Sequence, residues 1–201
     1  QLAGFRNQLI NGGFGIWQRG VSFSVGQAVS YTSDRWACNA PVGLTTTAAI
    51  SVVAPVAVGF TYAIKNTGSN FMALQQGVEL ARPASNMQFY VGSQWTLSFW
   101  SDEDQTSNPA NVKWKNGLDN ANADALPVSS SFSNFQSTGE TANGYTRYSA
   151  TFTITADAST VASADCLAVI LSVGAGQSAT GFQLEPGPVV SPFEIRPIQT
   201  E

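Results

Sequence analysis

The sequence contains no histidine among its 201 residues. Histidine is the side chain that most readily changes protonation near neutral pH, and it is the commonest metal ligand in proteins. Its absence excludes a Ser-His-Asp triad and any metal site built on imidazole. A pair of carboxylates for glycoside hydrolysis stays open on composition alone, because the chain has thirteen Asp and Glu residues.

The acidic residues nevertheless give little support to catalysis. Their one cluster, Asp102-Glu103-Asp104, lies in a polar segment where solvent should keep the carboxylates ionised. A general acid in a glycosidase needs a raised pKa, which such a segment does not provide. We therefore expect a protein that is not an enzyme.

Charge is scarce, since only 11% of residues are charged and the nine Lys and Arg residues are scattered. The net charge of −4 and the isoelectric point near 4.7 argue against nucleic acid, whose binding depends on clustered cations. No apolar run approaches the ~20 residues of a membrane span, and no charged start precedes an apolar signal core. We expect neither a nucleic-acid partner nor membrane insertion.

The sequence does have the alternation of apolar and polar residues that is typical of β-strands. WTLSFWS, Trp95 to Ser101, places Leu97 and Phe99 on one side and Trp100 on the other. Further strands are predicted for these segments: Arg35 to Cys38, Leu44 to Val58 with a break at Pro55, Thr61 to Lys65, Phe71 to Leu80 with a bulge at Gly77, Val112 to Lys115, Tyr148 to Ile154, Cys166 to Val173 as a central strand, and a final strand from Gly181.

The remaining segments are predicted to connect these strands. Val21 to Tyr31 indicates a loop or a weak hairpin, and the polar stretch from Asp102 to Asn143 indicates long connections around the one strand at Val112. Ala156 to Ala164 favours a turn. About eight to ten short strands with polar turns predict an all-β fold, an antiparallel two-sheet β-sandwich of jelly-roll type.

Two distinctive blocks stand at the ends of the chain. The first is NQLINGGFGIWQRGVSF from Asn7 to Phe23, followed by YTSDRW from Tyr31 to Trp36; the second is GFQLEPGPVVSPFEIRP from Gly181 to Pro197. Together they resemble the head and tail signatures of a jelly-roll domain of bacteriophage tail fibres and related virion appendages, which is similar to carbohydrate-binding modules. The resemblance implies that the first and last strands are neighbours in space.

The resemblance also implies an organisation and a location. Residues 1–6 are expected to link the domain to a preceding fibre segment, residues 7–198 to form a single jelly-roll domain, and residues 199–201 to be a tail. Such domains belong to the virion, after assembly in the host cytoplasm, and self-associate, commonly as homotrimers. The expected partners are other virion proteins, further copies of the chain and a host-surface glycan or receptor.

Cofactors and metals are not expected. Jelly-roll carbohydrate modules often hold calcium near the joined termini, where they have an acid at the place of Gly15, and calcium needs roughly six to eight oxygen ligands. Cys38 and Cys166 lack metal-ligand spacing, and assembly in the cytoplasm favours buried free thiols. Whether the two thiols lie near each other stays open. Cys38 follows Trp36 by two residues, so both are expected to face the core.

Three aromatic side chains are the candidate glycan ligands. Sugars stack their C–H faces on aromatic rings. Trp100 lies opposite the apolar positions of its strand, Trp114 lies between two lysines, and Tyr145 follows a turn. The alternative is that these rings are core or seal a sheet edge. Trp17 and Trp36 are expected to pack internally.

Charged residues of the end blocks are expected to be structural. We expect the termini and loops to be connected by Arg19, Asp34 and Arg35, with a ligand role as the alternative. A structural role and a ligand role are both open for Glu185 and Glu194. Two functions follow from the sequence: a structural and host-recognition domain that binds glycan, or a purely architectural virion domain without a sugar site.

Overall fold

The all-β prediction is confirmed by a computed structural model of the chain, which describes residues 6–52, 60–80, 89–107, 110–116, 135–156 and 165–194. These residues contain no apolar helix of membrane-spanning length. They form twelve strands: β1 (Ser22–Val25), β2 (Ser30–Tyr31), β3 (Ala37–Asn39), β4 (Thr46–Val52), β5 (Tyr62–Asn66), β6 (Met72–Glu79), β7 (Gln94–Ser101), β8 (Ala110–Lys115), β9 (Gln136–Ala142), β10 (Tyr145–Thr153), β11 (Cys166–Val173) and β12 (Ser178–Pro186).

The strands form two antiparallel sheets. A seven-stranded sheet, here called the large sheet, has the order β1-β4-β5-β12-β7-β10-β9, and a five-stranded sheet, the small sheet, has the order β2-β3-β6-β11-β8. Many neighbours in these orders are distant in sequence, which is typical of jelly rolls. The two sheets pack face to face around one core, so the protein is a two-sheet sandwich of jelly-roll type.

The core lies between the inner faces of the two sheets. Leu97 and Phe99 of β7 are fully buried there, as their alternation predicts, whereas Trp100 belongs to a separate cluster on the other face of the large sheet. Strand β11 has hydrogen-bonded neighbours on both sides, which confirms its central position. The rings of Phe99 and Phe182 stack with their centroids 5.1 Å apart, and this contact joins the centre of the core to β12.

The two end blocks contact each other, but the first and last strands are not the neighbours that the resemblance implies, because β4 and β5 separate β1 from β12 in the large sheet. The backbone N–H of Gln8 donates to the carbonyl of Leu184 at 2.8 Å, and the N–H of Phe182 donates to the carbonyl of Gly12 at 3.0 Å. A Cβ on Gly12 would lie 2.1 Å from the carbonyl oxygen of Phe182. The glycine is required there because the first block runs against the backbone of β12.

The tryptophans of the end blocks pack internally, as predicted. Trp36 is 1% exposed, and its Nε1–H lies 3.1 Å from the carbonyl oxygen of Ile10. Its ring centroid lies 5.0 Å from that of Phe182. Trp17 is half-buried against the same core, and its Nε1–H donates to the carbonyl of Phe14 at 2.6 Å. These rings fasten the first block to the final strand.

Three local predictions differ from the structure. Residues 21–31 hold no hairpin, because β1 pairs with β4 in the large sheet while β2 pairs with β3 in the small sheet. Gly77 causes no bulge, because the register of β6 with β11 runs unbroken and pairs Gly77 with Ala168. The bulge of the final strand lies instead between Thr180 and Gln183.

Strand β9 was also missed, because its sequence has no apolar alternation. It is an edge strand with mostly exposed side chains, so nothing in QSTGETA needs to face a core. The turn that joins it to β10 is the Asn143-Gly144 pair, with φ of 49° and 83°. Two consecutive residues with positive φ are the requirement of a tight hairpin turn. The break at Pro55, the turn at 157–164 and the boundaries at 1–5 and 195–201 lie outside the described residues.

The two cysteines are buried free thiols, as expected. Cys38 lies in the core beside Trp36, whereas Cys166 belongs to a small cluster with Ala37 and Ala168 on the outer side of the small sheet. The sheet therefore separates the two sulfur atoms. Burial raises the pKa of the Cys38 thiol to about 12, against a smaller opposing effect of its hydrogen bond with Thr32.

Gly12 and Gly15 offer a matched pair of substitutions. Gly12→Ala should lower the free energy of unfolding by about 2 to 4 kcal/mol, because the new methyl group clashes with a backbone oxygen that cannot rotate away. Gly15→Ala should change it by less than about 0.5 kcal/mol, because nothing lies within 4 Å of a Cβ there. Urea unfolding of the two variants measures the difference, and equal effects would contradict the pairing of the chain ends.

The thiol of Cys38 provides a second test of the core. In a Cys166→Ala variant, Cys38 should react with a thiolate-selective reagent at least about 1000-fold more slowly in the native protein than in urea. The thiol pKa of about 12 keeps the reactive thiolate rare at neutral pH. Above pH 9 the native protein keeps a proton that the unfolded chain loses, so stability should fall as the pH rises toward 12. Rapid native labelling at pH 8 would contradict this burial.

Candidate functional site

The three predicted aromatic ligands are buried, so the expected exposed groove of Trp100, Trp114 and Tyr145 is not present. Trp114 is 0% exposed and lies in the core opposite Leu167. Its Nε1–H donates to the carbonyl of Ala156 at 2.8 Å. Alternation puts the ring of Trp114 on one side of β8 and the flanking lysines on the other, but it does not say which side is the core. In the structure, the core side is that of Trp114.

Trp100 and Tyr145 lie on the outer face of the large sheet, but other side chains cover them. They are 4% and 8% exposed and cluster with Phe60 and Phe193. Gly181, with φ of 65°, makes room for this cluster, because a Cβ there would lie 2.8 Å from Trp100. Burial raises the pKa of Tyr145, a hydrogen bond with Ser178 lowers it, and the charge of Asp102 raises it further.

The segment after β12 folds back over this outer face and is held by buried polar groups. One carboxylate oxygen of Glu185 accepts hydrogen bonds from the Gln183 side chain and from the backbone N–H of Ser191, both at 2.9 Å. The Ser191 hydroxyl donates to the other oxygen. The amide oxygen of Gln183 accepts from the backbone of Glu194 at 2.7 Å. Glu185 therefore has a structural role.

Arg147 also holds the segment after β12 against the large sheet. Its side chain is 3% exposed and donates to the carbonyl of Ser191 at 2.7 Å, to the hydroxyl of Ser98 at 3.2 Å and to the carboxylate of Glu140 at 3.2 Å. Its Nε–H has no hydrogen-bond partner among the described residues. Glu194 accepts from the backbone of Asn7 at 2.8 Å, so it too is structural. The end-block motif thus closes one outer face of the sandwich.

The outer face of the small sheet has a different composition, although its centre is also buried: Ala37 and Ala168 are 0% exposed and Gln75 is 2% exposed. Its centre is a floor of small side chains from three adjacent strands, and we call this surface the small-sheet face. Strand register places these floor residues there: Ala37 on β3, Ala73 and Gly77 on β6, and Cys166 and Ala168 on β11. Gln75 and Ile170 lie between these small residues on the same face, and Ile170 packs against Ala37, Cys166 and Ala168.

Longer polar side chains surround the floor. Gln75 lies across the floor, its Nε2 3.3 Å from the side-chain oxygen of Asn39 and its Oε1 3.5 Å from Nζ of Lys115. Asn111 is exposed and Lys113 is half-buried on β8, the opposite margin of the sheet. Gln75 and Lys115 are 2% and 7% exposed, so the accessible donors and acceptors of this face are Asn39, Asn111 and Lys113.

Two cation contacts border the small-sheet face. The guanidinium of Arg35 lies 3.7 Å from the carboxylate of Glu79, with both side chains largely exposed. The guanidinium of Arg19 lies 5.2 Å above the ring of Tyr31. Both arginines therefore link loops to strands of the small sheet. They do not pair with Asp34, whose backbone N–H donates to Ile16 at 3.1 Å.

Asp104, in the acidic cluster after β7, is poorly suited to act as a general acid. The side chain and backbone N–H of Thr106 donate to Asp104, and these hydrogen bonds lower the pKa of that carboxyl. A general acid needs the opposite shift. Within the described residues, no group of three or more Cys, Asp or Glu side chains could hold a metal ion.

A second surface feature lies at the start of β7. It is a depression of about 370 Å³ lined by Ser93, Gln94, Trp95, Pro186 and residues of the preceding turn. Tyr90 borders it and is 64% exposed. This ring is the type of stacking surface that the sequence analysis sought, but it lies in a turn without strand alternation.

Comparisons with known proteins agree on the fold. No family model matches the sequence, and no curated protein matches it. Three solved structures share the architecture. The first is the enzymatically active domain of tailspike protein 4 of bacteriophage CBA120, with a TM-score of 0.51 and 12% identity over 90% of this chain and 21% of that one. This chain therefore spans about a fifth of that domain.

The other two structures match over nearly their whole length. A putative sugar binding protein from Bacteroides thetaiotaomicron has a TM-score of 0.51 and 13% identity over 90% of this chain and 100% of that one. A cyclase from Fischerella sp. TAU has a TM-score of 0.54 and 11% identity over 91% and 97%. At such identities the likeness shows the fold alone.

Substitution of Trp114 tests whether its ring lies in the core. Trp114→Ala should lower the free energy of unfolding by about 3 to 5 kcal/mol, because it leaves a cavity in the core. Tyr90→Ala removes an exposed ring and should cost less than about 0.5 kcal/mol. Thermal or urea unfolding distinguishes them. If Trp114→Ala were as stable as Tyr90→Ala, the core position of Trp114 would be wrong.

Proposed function

We propose that the protein is a host-recognition and structural domain of a bacteriophage virion appendage, a tail fibre or surface fibre, and that it binds host-surface glycan on the small-sheet face. The domain acts without catalysis. It assembles with itself as a homotrimer and with other virion proteins. Its place is in the virion.

The end blocks support the class of appendage. Their motifs resemble those of phage fibre domains, and their residues hold the two ends of the chain together through Gly12, Gln183 and Glu185. A motif that serves the framework identifies the module and leaves the ligand open. The same sandwich occurs in a phage tailspike domain and in a putative sugar binding protein, so the proposal fits the range of this fold.

The observation that carries glycan binding is the polar rim around the small floor of the small-sheet face. A sugar presents hydroxyl groups in many directions, and Asn39, Asn111 and Lys113, which are half-buried or exposed, offer amide and ammonium partners on both sides of the floor. On the outer face of the large sheet, Phe193 packs over the cluster of Phe60, Trp100 and Tyr145.

The absence of catalysis rests on chemistry. The chain has no histidine. Among the described acids, Glu185 is 2% exposed and accepts hydrogen bonds on both oxygens, which favours a fixed structural carboxylate. The low pKa of Asp104 makes that group a poor proton donor. These properties suit binding better than glycoside hydrolysis.

A purely architectural domain is the alternative, and one observation favours it. Val42, Leu44 and Phe71 are 79%, 43% and 51% exposed at the end of the sandwich where β6 begins. A hydrogen bond from the Asn70 side chain to the Thr45 carbonyl at 2.8 Å holds these segments together. Apolar side chains grouped at a surface suit contact with another subunit. In that function, the small-sheet face has no ligand.

Exposed amides on two edge strands give a matched test. Asn111 lies on β8 at the edge of the small sheet, and Gln136 lies on β9 at the edge of the large sheet. Asn111→Ala should weaken binding to host cells and to a glycan identified on an array by about three- to tenfold, the effect of one hydrogen bond. Gln136→Ala should leave binding unchanged.

Other outcomes would assign the function differently. Absence of binding by correctly assembled wild-type protein would favour the architectural domain. Binding that Tyr90→Ala abolishes and Asn111→Ala leaves intact would move the site to the depression beside β7. Both variants change exposed residues, so unfolding does not confuse the result.

A further inference from the structure

We propose that the depression at the start of β7 is a second carbohydrate site, which takes one uncharged sugar ring against the side chain of Tyr90. Its lining belongs to β7, to the end of β12 and to the turn before β7, so it is separate from the small-sheet face and goes beyond the proposed function. The exposure of Tyr90, the rigidity of the turn that carries it and the chemistry of the lining support the inference.

The ring of Tyr90 is accessible to a ligand. Tyr90 is 64% exposed, whereas the preceding Phe89 is 1% exposed. Phe89 packs on Trp95 with ring centroids 4.3 Å apart, so the buried ring anchors the segment and the next residue remains at the surface. The C–H face of a sugar can stack on an aromatic ring presented in this way.

Hydrogen bonds fix the turn that carries Tyr90. Its backbone carbonyl accepts from the backbone N–H of Ser93 at 2.9 Å and from the Ser93 hydroxyl at 2.6 Å. The same hydroxyl accepts from Nε1–H of Trp95 at 3.1 Å. The N–H of Gly92 donates to the carbonyl of Ile154 at 2.8 Å. A ring held on such a turn loses little conformational freedom on binding, which favours affinity.

Two glycines keep the space beside the ring open. Gly92 and Gly187 have φ of 91° and 95°, and nothing lies within 4 Å of a Cβ at either position. The N–H of Gly187 donates to the carbonyl of Gln94 at 2.8 Å, so the segment after β12 is fixed beside the start of β7. The depression of about 370 Å³ lies at the lower end of the range of small-molecule sites, roughly 300 to 1,000 Å³, and suits a single sugar unit.

The lining favours an uncharged ligand that carries hydroxyl groups. None of the described residues that line the depression has a charge. Ser93 and Trp95 are 8% and 3% exposed, so contact with a ligand falls to exposed groups. These are the ring of Tyr90, the carboxamide of Gln94 and the ring of Pro186. The carboxamide can both donate to and accept from sugar hydroxyls, while the two rings give apolar surface.

An NMR titration with the methyl glycosides of glucose, galactose and mannose tests the site, because ring stacking tolerates different sugars. The backbone amide signals of Gly92 and Gly187 should shift with a Kd on the order of 10 mM. Tyr90→Ala should weaken this binding about three- to tenfold by removing the stacking surface. Gln94→Ala should weaken it about two- to fivefold by removing a hydrogen-bond partner.

Matched controls come from the same kinds of exposed residue elsewhere. Phe71→Ala removes an exposed ring where β6 begins, and Gln136→Ala removes an exposed carboxamide at the start of β9. Both variants should bind as the wild type does. Sorbitol, which has hydroxyl groups but no ring, should shift the two glycine signals far less. Equal shifts with sorbitol, or equal binding by Tyr90→Ala, would overturn the stacking site.

The position of the shifts separates this inference from the proposed function. Shifts at Asn111 and Lys113 without shifts at Gly92 and Gly187 would overturn the second site and leave the small-sheet face in place. Shifts confined to the two glycines would support the second site, and the Asn111→Ala test on array glycan decides the small-sheet face separately. Absence of all shifts at about 100 mM glycoside, well above the expected Kd, would overturn the second site.

Discussion

The side chain of Asn7 joins three parts of the chain, and the architecture depends on this junction. Its oxygen accepts hydrogen bonds from the backbone of Leu9 at 3.0 Å and of Leu184 at 3.1 Å, while its amide donates to the carbonyl of Phe182 at 3.2 Å. Its own backbone N–H donates to Glu194. Asn7 is 1% exposed, so water does not compete for these groups. The start of the chain, the final strand and the segment after it are thus fixed together.

This junction makes the two faces of the sandwich unequal. Because the segment after β12 must return toward Asn7, it crosses the outer face of the large sheet and brings Phe193 onto Phe60, with ring centroids 4.5 Å apart. The buried carboxylate of Glu185 needs this segment as its hydrogen-bond partner, since an unpaired charge at that depth would be costly. The small-sheet face takes no part in this closure, and the proposed recognition lies there.

The sequence predicted the framework well and the site poorly, for a physical reason. Alternation in WTLSFWS correctly separated Leu97 and Phe99 from Trp100, and Asn143-Gly144 correctly indicated a turn. Alternation reports which side of a strand a residue lies on, but what covers that side depends on distant segments. The covering of Trp100 by Phe193 is such a long-range contact.

The small-sheet face was missed for the same reason. Its floor combines Ala37, Gly77 and Ala168, which are far apart in sequence and meet only through strand register. Each small residue alone is unremarkable in a strand. A signal did exist in the alternation of Lys113 and Lys115 around Trp114: once the ring is assigned to the core, the lysines must share the outer face.

The framework and the small-sheet face are built from different residues, so the end blocks do not indicate the ligand. On β8, Val112 and Trp114 hold the core while Asn111 and Lys113 face outward, so adjacent residues have separate tasks. A change at Asn111 or Lys113 leaves the core contacts of its neighbours in place. In the proposed function, specificity can therefore vary on the small-sheet face while Asn7 and its partners stay the same. Under that proposal, selection for a new receptor would alter the outer positions of β3, β6, β8 and β11 and leave the terminal motifs unchanged.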